Sequence, residues 1–146
     1  MYGISWQLND RRDVRKVFDI LYSFSPPDSI WYIDDVDKLD KKYIDLEKQT
    51  LSFSAATKIF QSVSDVISLS VKIYPDSKEQ KITTLNTYQD FVNSACLLAF
   101  FCFDCVYQEI YCKDQNALLK IYHMLNELAI ENLEWIECIN DIRTYF

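Results

Sequence analysis

Residues 66–74 read Val66-Ile67-Ser68-Leu69-Ser70-Val71-Lys72-Ile73-Tyr74, and this stretch decides the fold. Ile67, Leu69, Val71 and Ile73 take one set of alternate positions, and Ser68, Ser70, Lys72 and Tyr74 take the other. Successive side chains of a strand point to opposite sides, so a period of two predicts a strand with one face on a core. Pro75-Asp76-Ser77 turns the chain, and Lys81-Ile82-Thr83 is expected to pair back antiparallel. Further on, Ala95 to Phe103 is apolar at both sets of positions, which predicts a central strand covered on both faces. Asp104-Cys105 would be its turn. Val106 to Cys112 alternates again, with Val106 and Ile110 against Tyr107, Glu109 and Tyr111.

Working outward, Tyr2 to Leu8 predicts a first strand with Ile4, Trp6 and Leu8 on one side. Asn9 and Asp10 offer N-caps to a helix carrying Val14, Val17, Phe18 and Leu21, which Ser25-Pro26-Pro27-Asp28 stops. Ile30 to Ile33 is a short strand, Asp34 to Lys42 a charged connection, and Tyr43 to Leu46 another short extended piece. Leu51-Ser52-Phe53 reads as extended, with Ser54 capping a helix that holds Ala55, Ile59, Phe60 and Val63. Thr87 and Asp90 have the spacing of a capping pair for a short helical turn through Asn93. Asp114 or Asn116 caps a helix holding Leu118, Leu119, Tyr122, Leu125 and Leu128. Residues 130–138 admit a strand or a continuation of that helix, and helix followed by strand is the preferred reading. The sum is a single α+β domain over residues 1–146: a largely antiparallel sheet of about six strands, with about three helices packed mainly on one face.

Composition narrows the function classes. The 146 residues contain one glycine, Gly3, against ten Tyr, nine Phe and three Trp. Average usage would supply roughly ten glycines. Phosphate-cradling loops, dinucleotide fingerprints and Gly-flanked nucleophile elbows all need glycine and are absent. The lone histidine, His123, excludes any site that needs two imidazoles. Turns are expected at Asn9-Asp10, Pro26-Pro27-Asp28, Pro75-Asp76-Ser77 and Asp114-Gln115-Asn116, residues suited to caps and type I turns without φ > 0.

The net charge is −7, distributed as −1 over residues 1–73 and −6 over residues 74–146. Such a surface repels nucleic-acid backbones and anionic lipid, so neither is an expected partner, while a basic protein is. The longest uncharged run, Phe91 to Phe103, has thirteen residues, short of the roughly twenty that span a bilayer. No secretory signal is visible, which predicts a cytoplasmic protein whose five cysteines are reduced thiols.

Three constellations invite a chemical test. Cys102-Phe103-Asp104-Cys105 has CxxC spacing, but it ends an apolar strand rather than forming a zinc knuckle or opening a helix. Asp34, Asp35, Asp37, Asp40, Asp45 and Glu47 are carboxylate-rich, yet they lack the glycine and ligand spacing of a calcium loop. His123 sits mid-helix, with no Cys or Ser at catalytic spacing. No cofactor is expected.

Gly3-Ile4-Ser5, the stretch Thr87-Tyr88-Gln89-Asp90-Phe91-Val92-Asn93-Ser94 and the run from Asp104 through Cys105, Val106, Tyr107, Gln108, Glu109, Ile110, Tyr111, Cys112 and Lys113 to Asp114 resemble a small uncharacterised bacterial domain family. The resemblance implies a cytosolic, single-domain protein and brings no activity or site residue with it.

The leading expectation is a non-enzymatic binding module, an immunity- or antitoxin-like inhibitor of a basic partner. Its contact residues would be Tyr107, Glu109, Tyr111, Glu127, Glu131 and Glu134, because aromatic anchors among carboxylates suit a cationic surface. A second expectation is a ligand-binding or enzymatic domain using Asp104, Cys105, Cys112 and His123. A third is a homo-oligomeric structural domain.

Overall fold

In the computed structural model, residues 2–37, 46, 48–63, 66–76, 82–137 and 146 are described. The strands are β1 (Gly3–Leu8), β2 (Ile30–Asp37), β3 (Gln49–Ser52), β4 (Ser68–Tyr74), β5 (Leu98–Phe103), β6 (Tyr107–Cys112) and β7 (Ile130–Ile136). The α-helices are α1 (Val14–Phe24), α2 (Phe53–Gln61), α3 (Tyr88–Asn93) and α4 (Gln115–Asn126). All seven strands form one sheet in the order β3-β2-β4-β5-β6-β1-β7, and every neighbouring pair is antiparallel. The fold is therefore α+β, and the described residues form one strand and one α-helix more than the sequence patterns suggested.

The apolar stripes set the main core. Ile4, Trp6 and Leu8 of β1, Trp31 and Ile33 of β2, Leu69, Val71 and Ile73 of β4, and Phe100 of β5 line one face of the sheet. Val17, Phe18 and Leu21 of α1, Ala56 and Phe60 of α2, and Leu118, Ile121 and Leu125 of α4 close over it. Full burial of each such side chain is worth about 1.5–3 kcal/mol. In α4 the apolar stripe includes Ile121, whereas the expected core residue Leu119 is exposed on its flank. Asp114 caps this helix, accepting from the backbone N–H groups of Asn116 and Ala117 at 2.9 and 3.1 Å.

The second face carries its own small core, which the pattern of β4 did not disclose. Lys72 and Tyr74, read as the outward side of that strand, are 1 % and 2 % exposed. They lie under α3 and Phe146, among Leu85, Phe91, Cys96, Ala99, Phe101 and Tyr111. The expected capping pair is real: the Thr87 hydroxyl accepts from Asp90 N–H, and the Asp90 carboxylate accepts from Thr87 N–H. A side-chain hydrogen bond with Thr87 first, then the backbone N–H groups of Asn86 and Thr87, hold the Asp90 carboxyl below the ordinary carboxylate range.

Other boundaries moved. Asp34 to Asp37 continue β2 rather than open a connection, because Ser68, Leu69 and Ser70 of β4 pair with Asp37, Val36 and Asp35 across a bulge after Ile33. Ser52, not Ser54, caps α2. Ile82 and Thr83 form no strand, and Lys81 and the piece expected over residues 43–45 lie outside the described residues. After α4 the chain does return as a strand, β7.

No described residue of the four turns named from the sequence has positive φ, but other corners of the chain do. Lys48, Asp104, Cys105 and Asn132 have φ values of 59°, 47°, 69° and 53°. Left-handed backbone costs a residue with a Cβ roughly 1–2 kcal/mol relative to the ordinary regions. The β5–β6 corner bears it because Cys105 N–H donates to Ile67 O at 2.9 Å, which ties the turn to the start of β4.

Candidate functional site

The face of β5, β6, β1 and β7 opposite the main core holds a hollow of about 390 Å³. Alternation places its side chains: Ser5 and Gln7 of β1 are opposite in phase to Ile4, Trp6 and Leu8, which enter the main core. Tyr107 and Glu109 of β6, Phe103 of β5 and Glu134 of β7 complete the lining with Asn132, over a floor of Trp6 and Gln108. Cross-strand register explains the convergence. Ser5 stands between Glu109 and Glu134, and Gln7 between Tyr107 and Glu131. A register shift in the β1–β7 pairing coincides with the left-handed backbone of Asn132. Its side-chain amide donates to Gln7 Oε1 at 3.3 Å, which fixes the rim.

The expected contact residues separate into two groups. Tyr107 is 51 % exposed at the mouth of the hollow. Glu134 is exposed in the wall, and Glu131 is exposed on the same strand. Glu127 is exposed at the C-cap of α4 and takes no part in the lining. Glu109 and Tyr111 are buried, and the Tyr111 hydroxyl donates to Glu109 Oε2 at 2.9 Å. Tyr111 lies under Tyr88 of α3 and Phe146, with ring centroids 6.0 and 4.8 Å away. It is an interior residue, while Glu109, though buried, is one of the residues lining the hollow. Phe103, Gln7 and Asn132 were missed by sequence reasoning. Their lining role arises from strand register, for which the amino-acid pattern carries no local mark.

The thiol and imidazole residues are not gathered in one place. Cys105 sits half-buried in the β5–β6 turn with Asp104, and Cys112 ends β6, roughly 20 Å away along the strand at about 3.3 Å per residue. His123 is exposed on α4, edge-on to Tyr122. Cys102 is buried and accepts from the Gln108 amide at 3.7 Å. Among the described residues, no group of three or more His, Cys, Asp or Glu could hold a metal ion. Burial pushes the Cys96 thiol up to about 12 and raises that of Cys112 as well. A thiol must ionise to attack an alkylating agent. Iodoacetamide at pH 8 is therefore expected to modify Cys105 at least about tenfold faster than Cys96 or Cys112. Equal rates by mass spectrometry would contradict the burial of the latter two.

No helix among the described residues is long and apolar enough to cross a membrane. No solved structure matches the chain. An uncharacterised protein of Bacillus subtilis (strain 168), YncE, is 33 % identical over 78 residues, covering 53 % of this chain and 50 % of that protein. The chain thus spans about half the length of this curated relative. A family model described as a protein of unknown function matches residues 1–146 from end to end, and the chain belongs to that family, DUF2691.

Proposed function

We propose that the protein is a non-enzymatic binding module that takes a cationic side chain of a basic protein partner into the hollow on the sheet face opposite the main core. One observation carries this reading: Glu109 and Glu134 line a cavity with Tyr107 at its mouth, and among the described residues no Lys or Arg takes part in the lining. An arginine entering there gains a carboxylate partner and an aromatic face, the two contacts guanidinium groups favour. The −6 charge of residues 74–146 adds long-range attraction, which speeds encounter and weakens with salt. An immunity- or antitoxin-like inhibitor would use such a surface. Cytoplasmic placement belongs to the same proposal.

An arginine-rich nonapeptide serves as the probe, titrated calorimetrically at low and high salt. Tyr107→Ala and Glu134→Gln are each expected to weaken binding about tenfold, the loss of one central contact. Glu127→Gln, which removes the same charge away from the hollow, should change it less than about twofold. Equal effects of Glu127→Gln and Glu134→Gln would reduce the interaction to diffuse charge and overturn the assignment.

A further inference from the structure

Lys72 is the most deeply buried cation among the described residues, 1 % exposed at the middle of the sheet. Two oxygens hold its ammonium. Asp34 Oδ2 lies 2.5 Å away, placed there by the bulge in β2, and the main-chain oxygen of Phe146 accepts at 2.9 Å. The ring of Phe146 fills a cage of aromatic neighbours: Phe91 at 4.9 Å, Tyr111 at 4.8 Å, Phe101 at 5.3 Å and Tyr88 at 6.0 Å between centroids. Its N–H donates to Asn86 O at 3.1 Å. Phe146 therefore occupies a notch that reads two features at once, a six-membered ring and an oxygen acceptor a few bonds away. The hydroxyl of Tyr74, 2 % exposed and in the same cluster, has no hydrogen-bond partner among the described residues.

A buried ammonium is costly to desolvate, and apolar side chains of similar size commonly give equal or greater stability. Packing alone does not account for a lysine at this position. Its specific contribution is to aim a charged donor at an oxygen beside an aromatic cage. We propose that the Lys72 notch is a binding site for small aromatic carboxylates, of the type of 3-phenylpropionate, and that Phe146 occupies it as an internal competitor. A carboxylate accepts a charge-assisted hydrogen bond from the ammonium, stronger than one between neutral groups. The ring replaces that of Phe146 against Phe91 and Tyr111. The site is separate from the proposed cation-binding hollow, and its fate does not depend on that reading.

The probe is 3-phenylpropionate, with toluene as a ring without the oxygen. In Phe146→Ala, calorimetry is expected to show 3-phenylpropionate binding at least about tenfold tighter than toluene, and ligand addition should restore part of the lost thermal stability. Phe146→Leu retains an apolar anchor and supplies the same comparison should the alanine variant not fold. Adding Lys72→Met to either background should remove the preference for the carboxylate and leave that for the ring. Asp34 is partly exposed and can be hydrated once its partner is lost. A notch that binds neither ligand overturns the proposal. Equal binding of the two ligands, or a preference for the carboxylate that survives Lys72→Met, overturns it too.

Discussion

Trp31→Ala is expected to destabilise the protein by about 3–5 kcal/mol, the usual range when a fully buried large aromatic is truncated. The indole is wholly buried at the junction of three elements. It packs on Tyr22 of α1 at 5.4 Å and Phe60 of α2 at 5.7 Å, and its N–H donates to Ser29 Oγ at 3.2 Å. Phe60 passes the contact on to Phe18, 4.7 Å away, so the vacated space borders two helices that cannot both close over it. Domains of ordinary stability have about 5–15 kcal/mol in total, so the variant approaches the limit of folding. With a urea dependence of about 2 kcal/mol per molar, the midpoint should fall by roughly 2 M. Trp31→Phe keeps a ring in place and should lose distinctly less. An unchanged midpoint in the alanine variant would mean that α1 and α2 do not pack on β2 as described.

Gly3→Ala is the second large effect, and the smallness of the change makes it diagnostic. A Cβ on Gly3 would lie 2.4 Å from Ile110 O and 2.9 Å from Tyr111 Cδ1. Gly3 has no positive φ, so the requirement is for space rather than for backbone freedom. The ring of Tyr111, its partner across the β1–β6 ladder, lies against the backbone that a side chain would cover. Overpacking of this kind costs about 1–3 kcal/mol, and more where the obstacle is backbone. The Ile110 carbonyl belongs to a strand paired on both sides and has little room to yield. Tyr111→Ala in the Gly3→Ala background should therefore fail to restore stability. Full restoration would identify the ring as the whole obstacle, and a loss below about 0.5 kcal/mol in the single variant would contradict the β1–β6 register.

The alternating and doubly apolar segments were legible because local period is what burial on a sheet imprints on sequence. β1, β4, β5 and β6 fell where their patterns put them, as did the caps at Thr87 and Asp114. The second core was not legible. Lys72 reads as a solvent residue, and its partners Asp34 and Phe146 are 38 and 74 positions away. The outer half of β2 reads as a loop because Asp34, Asp35 and Asp37 interrupt its apolar pattern, yet a strand can carry exposed carboxylates once its neighbour supplies the ladder. Among the proposed contact residues, Tyr107, Glu109 and Tyr111 share a strand face as read. The sequence holds no sign that α3 and Phe146 cover the last of them and leave the first bare.

The position of β1 between β6 and β7 bears on how the polypeptide leaves the ribosome. Gly3 pairs with Tyr111 and Ile136, so this strand has no neighbour until most of the chain has been synthesised. At about 5–20 residues per second, roughly 5–20 s separate its emergence from that of its first partner. During that interval β2, β3, β4 and α2 can begin to associate, while Ile4, Trp6 and Leu8 remain an uncovered apolar stripe on a strand with two open edges. The nascent chain therefore passes through a period in which β1 is a target for chaperones and for neighbouring chains, and the sheet closes when that strand is drawn in beside β6.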